Sequence, residues 1–221
     1  MMVYFTSDLH LGHRAIISMQ NRPFDSLEEM NRVILSNFNA VIHRNDTVYI
    51  LGDICHHMKV DVANEMISGL NGKKYLLIGN HDKKYDPALF CEIRDFMTIS
   101  VNGQRFVLMH YPMLSWPHKS SGAIHLHGHI HAREDYNLKN LMEGVRRYDV
   151  GVDANGFLPV SAQQIISFFD GSASVDCRTG MTLREYKEKK LQDLEFAKAY
   201  AEIQSEINEI RHSIDSEKSG K

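Results

Sequence analysis

No stretch of this 221-residue chain approaches the roughly 20 consecutive apolar residues that a membrane-spanning helix needs. The opening segment, Met1 to Thr6, has no basic cluster ahead of its apolar residues and runs straight into Ser7, Asp8 and His10, so no secretory signal is expected. Cysteine is scarce. Cys55, Cys91 and Cys177 are odd in number and far apart, which argues against a disulfide framework and for a reducing compartment, the cytoplasm. The same scarcity excludes a thiolate-rich structural zinc site. An excess of positive charge is also missing: 25 Lys and Arg stand against 28 Asp and Glu, a formal net charge of −3. A general nucleic-acid-binding surface is therefore not expected. A nucleotide substrate remains compatible with that balance, because bound divalent ions make a site locally positive whatever the global charge. The first 180 residues contain no internal repeat.

What the chain does have is an ordinary globular composition, 43% hydrophobic and 24% charged, and thirteen histidines whose placement is informative. Short apolar runs rich in β-branched and aromatic residues recur, each ending in a polar cluster. Val3 to Thr6 leads to Asp8 and His10, and Val48 to Leu51 leads to Gly52 and Asp53. Tyr75 to Ile78 leads to Gly79, Asn80, His81 and Asp82, and Arg105 to Met109 leads to His110. Ile124 to Leu126 leads to the cluster from Gly128 to His131. Runs of this kind read as buried strands. Between them lie helical patterns. Leu27, Met30, Ile34, Phe38, Val41 and Ile42 form an apolar stripe behind a Ser26/Glu29 capping box. A second helix is expected over Asp61 to Leu70, and a third from about Pro87 to Arg94. Strands alternating with helices give an α/β fold, in which ligands gather beyond the carboxyl ends of the strands.

The last forty residues are different in kind. A second S/T-x-x-E start, Thr182 to Glu185, precedes Phe196, Tyr200, Ile203, Ile207, Ile210 and Ile214 at alternating spacings of 4 and 3. That pattern predicts an amphipathic helix with a narrow, coiled-coil-like stripe. The expected organisation is thus a catalytic domain over residues 1–180 and a helical extension over 181–221. The extension, through residues 182–215, is a candidate surface for self-association or for a partner.

The polar clusters contain a consistent chemistry. Asp, His and Asn supply hard and borderline donors suited to divalent Mn, Fe, Zn, Ni or Mg. Asp8 and His10 are two apart at a strand end and can face one pocket; His129 and His131 repeat that spacing. A carboxylate such as Asp53 can bridge two cations, and a cation pair can clamp a phosphate and its attacking and leaving oxygens. Taken singly, each residue has a bland alternative: a capping or surface histidine, a plain Gly-Asp, or a turn at Asn80-His81-Asp82. Their joint occurrence at five strand ends favours the metal reading.

The series Asp8-x-His10, Gly52-Asp53, Gly79-Asn80-His81-Asp82, His110 and Gly128-His129-Ile130-His131 resembles the calcineurin-like metallophosphoesterases. The resemblance covers roughly residues 1–170, with no ligand position missing. It is nearest to a small bacterial and phage branch, through Ser7 to His13 followed by Arg22-Pro23-Phe24. It implies a four-layer α/β/β/α sandwich, two sheets packed between helices. It also implies a dinuclear centre in which Asp8, His10 and His131 hold one ion, Asn80, His110 and His129 the other, and Asp53 bridges. Manganese is the first expectation for both ions. His81 would be the catalytic histidine, close to the phosphate and the leaving oxygen, as general acid or transition-state stabiliser, with attack by metal-bound hydroxide. In the protein-phosphatase branch the bridging aspartate's motif continues to a second aspartate and an arginine. Here Ile54, Cys55, His56, His57 and Met58 follow instead, so the usual acidic partner of the catalytic histidine is absent from that place.

Other residues carry weaker expectations. Arg22 is a candidate for bidentate phosphate binding, the alternative being a structural ion pair. His13, Asn80 and either of His56 and His57 are candidates for the pocket. Tyr111, and Trp116 with Lys119, are weighed as stacking surfaces. His125 and His127 read as packing, and Asp153 as structural and near the site. The expected substrate is a small phosphomonoester or phosphodiester, a nucleotide or a nucleic-acid end being favoured. The competing reading is a non-catalytic metal-binding scaffold or interaction module that uses the terminal helix; loss of ligands would be its sign, and none is lost.

Overall fold

The computed structural model describes residues 1–133, 135–171, 174–176 and 181–182. The chain divides into two compact units, Met1–Ile166 and Ser167–Lys221. In the first unit, β1 (Val3–Thr6), β2 (Thr47–Ile50), β3 (Lys73–Leu77) and β4 (Glu92–Arg94) run parallel in the order β4-β3-β2-β1. A second sheet holds β5 (Phe96–Val101), β6 (Gln104–Met109), β7 (Ile124–His127) and β8 (Arg147–Asp149), with β5 antiparallel to β6 and the rest parallel. A short antiparallel strand, β9 (Val160–Ser161), closes the first sheet beside β1.

Side-chain alternation explains why both faces of the first sheet are apolar. Tyr4, Val48, Ile50 and Leu76 point to one face, where they cluster with Met30, Ile34 and Phe38 of α2 (Leu27–Val41) and Ala63 and Ile67 of α3 (Val60–Ser68). Phe5, Tyr49 and Tyr75 point to the other. There Tyr49 stacks on Phe5 and Tyr75, and Phe5 meets Phe106 of β6 at 5.4 Å between ring centres. The two sheets therefore face one another and are flanked by helices, the architecture expected from the sequence. Parallel strands covered on both faces read as continuous apolar runs, which is how β1 and β2 appear. Among the described residues there are three further helices, α1 (Arg14–Met19), α4 (Asp135–Met142), which packs on β8, and α5 (Ala162–Phe169). No helix among the described residues is long and apolar enough to cross a membrane.

The capping box at α2 forms in a modified way. Ser26 Oγ accepts from Glu29 N at 3.1 Å, but the Glu29 carboxylate reaches the backbone N–H of Asp25, one residue before the cap. The expected helix over Asp61 to Leu70 is α3, ending at Gly69.

The expected helix from Pro87 to Arg94 is corrected. Only a single 3-10 turn, Pro87–Leu89, forms behind the Asp86 cap, and the chain extends at Phe90. Glu92–Arg94 then pairs with Tyr75–Leu77 along the sheet edge. A hydrogen-bonded edge, together with burial of Phe90 and packing of Ile93 on the core, outweighs a few tenths of a kcal/mol of helix propensity per residue.

In the second unit, β10 (Ser174–Asp176) and β11 (Met181–Thr182) form an antiparallel pair. Thr182 is thus extended, and the helix expected after it, with any partner surface it carries, lies outside the described residues.

Candidate metal centre

The five polar clusters meet at the carboxyl ends of β1, β2, β3, β6 and β7. The turn that follows each strand is tight. Asp8, His10, Asp53, His129 and His131 all have positive φ, between 47° and 73°. Non-glycine residues rarely occupy this region, and Asp and His are among those that tolerate it; such outliers concentrate at functional sites. The turns are stitched to one another. Asp8 N donates to Gly52 O, His10 N to Asp53 O and Leu11 N to Ile54 O, each at 2.9–3.0 Å.

Around Asp53 the donor atoms converge. Asp53 Oδ2 lies 3.6 Å from both His10 Nε2 and His110 Nε2. His10 Nε2 is 3.1 Å from His131 Nε2, and Asp8 Oδ1 is 4.0 and 3.9 Å from those two nitrogens. On the other side, Asn80 Oδ1 is 3.0 Å from His110 Nε2 and 2.9 Å from His129 Nδ1. Asp8–His10–His131 and Asp8–Asp53–His110 each present ligand atoms close enough for one cation. All seven sequence-derived ligand candidates are therefore brought together.

The outer shell decides which nitrogen faces inward. His110 Nδ1 is 2.7 Å from Leu51 O, and His131 Nδ1 is 2.8 Å from Asp153 Oδ2. A neutral imidazole that donates from Nδ1 carries its lone pair on Nε2, so both Nε2 atoms offer lone pairs to the centre. Acceptors facing acceptors at hydrogen-bonding distance, with buried Asp8 and Asp53 among them, fit a site built to hold cations. Burial, reinforced by neighbouring imidazoles and Arg22, holds His10 well below the ordinary histidine range, so the ring is neutral and able to ligate. Burial also raises the Asp8 carboxyl, against the opposing pull of His131, His110 and the Ser7 hydrogen bond. At His131 burial lowers basicity, but the Asp153 hydrogen bond and the charges of Asp8 and Asp153 win, and the net direction is upward.

Arg22 lies beneath the site, 4% exposed. Its Nε and Nη2 make a bidentate pair with Asp153, both at 2.8 Å, Nη2 also reaches Asp8 O, and Nη1 donates to Leu9 O and approaches Met30 Sδ. All five N–H bonds are directed inward. Arg22 is thus placed as a structural ion pair that sets Asp153, which in turn sets His131. The Trp116 ring is likewise inside, its Nε1 donating to Ala123 O under a cation–π contact from Lys119. His125 and His127 are fully buried and bonded to Val107 O and Gly128 O, as packing residues. Tyr111 stands at the mouth, 39% exposed and edge-on to His129.

The His81 backbone N–H donates to Asp53 Oδ1 at 2.8 Å. Its ring stacks on His56 at 4.1 Å and meets His10 edge-on, so aromatic neighbours stand where a carboxylate partner was missing.

Two carboxylates have structural roles that the sequence analysis did not assign. Asp82 accepts from Asp53 N, Ile54 N, Gly79 N and the Tyr85 hydroxyl, all at 2.8–3.0 Å, and so ties the Asp53 turn to the Gly79 turn. Asp149 accepts from Gly151 N and Ala132 N, and burial, followed by the Asp8 charge, pushes it up to about 8. Their partners at Asp53 and Ile54, and at Ala132, are distant in sequence. Ser7, whose hydroxyl donates to Asp8 Oδ2 at 2.5 Å, was equally silent.

Close backbone approach is required at Gly128. A Cβ there would overlap Ser7 Oγ and the Asp8 carboxylate. Gly128→Ala is expected to weaken metal binding roughly 10- to 100-fold by displacing Asp8, the scale on which ligand-positioning contacts act. Calorimetric titration with Mn(II) measures it, and wild-type affinity in the variant would contradict this placement of Asp8.

The family model for calcineurin-like phosphoesterases matches residues 1–154. The chain belongs to that family. It is accordingly a hydrolase of phosphoric esters with a divalent-metal site. Among curated relatives, the uncharacterized protein MJ1445 of Methanocaldococcus jannaschii is 36% identical over 171 residues, covering 76% of this chain and 91% of that protein. The gene 66 protein of Mycobacterium phage L5 is 28% identical over 193 residues, covering 73% and 91%. A crystal structure of AQ665, a protein of unknown function from Aquifex aeolicus, superposes with a TM-score of 0.59 at 28% identity, covering 75% of this chain and 98% of that one.

Proposed function

We propose that this phosphoesterase is dinuclear, with manganese as its first-choice ion and a small phosphomonoester or phosphodiester as its substrate. The observation that carries this reading is the position of Asp53 Oδ2, equidistant at 3.6 Å from a histidine of each half-site. Asp8, His10 and His131 hold one ion, Asn80, His110 and His129 the other, and Asp53 bridges them. When bound, such a pair lowers the pKa of a water and neutralises phosphate charge. The protein's own contribution is geometric. The Asp153–His131 and Leu51–His110 contacts fix the inward nitrogens, the bond to Asp53 holds the His81 backbone, and the stack on His56 holds its ring. His81 then delivers a proton to the leaving oxygen from its imidazole.

A nucleotide or a nucleic-acid end is favoured among small esters. The net charge of −3 supports no extended basic track for a polymer, and the exposed Tyr111 ring at the mouth offers a base a flat apolar surface. The free thiols Cys55 and Cys91 fit the cytoplasm as the working compartment.

Manganese-loaded protein is expected to hydrolyse chromogenic phosphomonoesters or phosphodiesters and to select among nucleotides, cyclic nucleotides and oligonucleotide ends. His81→Ala should lower kcat about 10²- to 10⁴-fold while metal stoichiometry stays the same. A variant that retains full kcat removes His81 from the chemistry, and a wild-type enzyme that prefers long polymers overturns the small-ester reading.

A further inference from the structure

A second cluster of imidazoles lies beside the centre, on the loops that follow Asp8–His10 and Asp53. His13 precedes α1, and His56 follows the Asp53 turn. The two loops are joined by backbone bonds, with Leu11 N donating to Ile54 O and His56 N to Leu11 O, both at 2.9 Å. That register brings His13 Nδ1 to 3.3 Å from His56 Nδ1. One ring nitrogen of His10 lies within 4.8 Å of both. His57 stacks on His56 at 3.9 Å and stands 5.1 Å from His13.

Apart from His10, none of these residues is needed to complete the two half-sites. His10 Nε2 already faces His131 and Asp53, whereas His13 and His56 face each other. Two nitrogens bound to one tetrahedral zinc ion at ~2.0–2.1 Å stand about 3.3 Å apart, the separation of the two Nδ1 atoms. Imidazole donors in this number suit zinc, cobalt, nickel or copper and suit magnesium or calcium poorly.

We propose that His13 and His56 form a third, accessory site for a borderline divalent transition ion, adjacent to the dinuclear centre and separate from its ligand set. An ion there locks the loop after His10 to the loop after Asp53. It also places positive charge next to the ring on which His81 stacks.

The test counts ions on the full chain. Metal-free protein is dialysed against Zn(II) or Co(II), and metal per chain is measured by mass spectrometry for the wild type, His13→Ala, His56→Ala and Asp53→Asn. Three equivalents in the wild type and two in each histidine variant are expected. Asp53→Asn should weaken the paired ions and retain the third. Two equivalents in the wild type overturn the accessory site, whether or not a variant folds, and leave the dinuclear reading standing. A third equivalent that persists in both histidine variants also overturns it, because it then resides elsewhere.

Discussion

Asp53→Asn is expected to lower turnover roughly 10³-fold or more, the scale seen when a group at a reacting centre is removed, while the fold is retained. The reason lies in the two ends of one carboxylate. Oδ1 accepts the His81 backbone N–H at 2.8 Å, and Oδ2 faces His10 Nε2 and His110 Nε2 at 3.6 Å each. An asparagine that keeps its oxygen toward His81 N must turn its NH₂ toward the two histidines. A donor then stands where both proposed half-sites need an acceptor, and a negative charge is lost. Steady-state kinetics alongside Mn(II) titration should show weaker metal binding and lost activity together, with an unchanged circular dichroism spectrum. Near-wild-type turnover would remove Asp53 from the proposed bridging role.

Asp82→Ala is expected to be the most destabilising single change near the site. The Asp82 carboxylate accepts three backbone N–H groups and the Tyr85 hydroxyl. Its removal strands donors at Asp53 and Ile54, which are buried, and at Gly79. At the lower end of the ~1–3 kcal/mol for each unsatisfied buried donor, the three donors total on the order of 3–5 kcal/mol. For a domain of this size that corresponds to a fall in Tm of about 10 °C, readable by calorimetry. Asp82→Asn keeps one oxygen and should lose less. A Tm within about 2 °C of wild type for Asp82→Ala would mean that other groups close the Asp53 turn. Because the same turn carries Asp53, the proposed bridging carboxylate, metal affinity should fall with stability, in contrast to Asp53→Asn, where it falls alone.

The sequence by itself determined the strand ends and what stands on them. Apolar runs of three to five residues ending near Asp8, Asp53, Asn80, His110 and His129 can be read without coordinates, because strand burial and ligand chemistry are both written into short local patterns. The α2 stripe and its cap were legible for the same reason. Tertiary structure alone decided the rest. Whether Arg22 meets a phosphate or Asp153 depends on a pairing 131 residues apart, and the buried carboxylate held the guanidinium. Whether Glu92–Arg94 is helical or extended depends on an open edge at β3, which no window around Pro87 contains. The clamp at Asp82 and the facing nitrogens of His13 and His56 follow from turns that stitch distant loops together. Local sequence fixes which groups a loop carries; the backbone bonds between loops fix which of them meet.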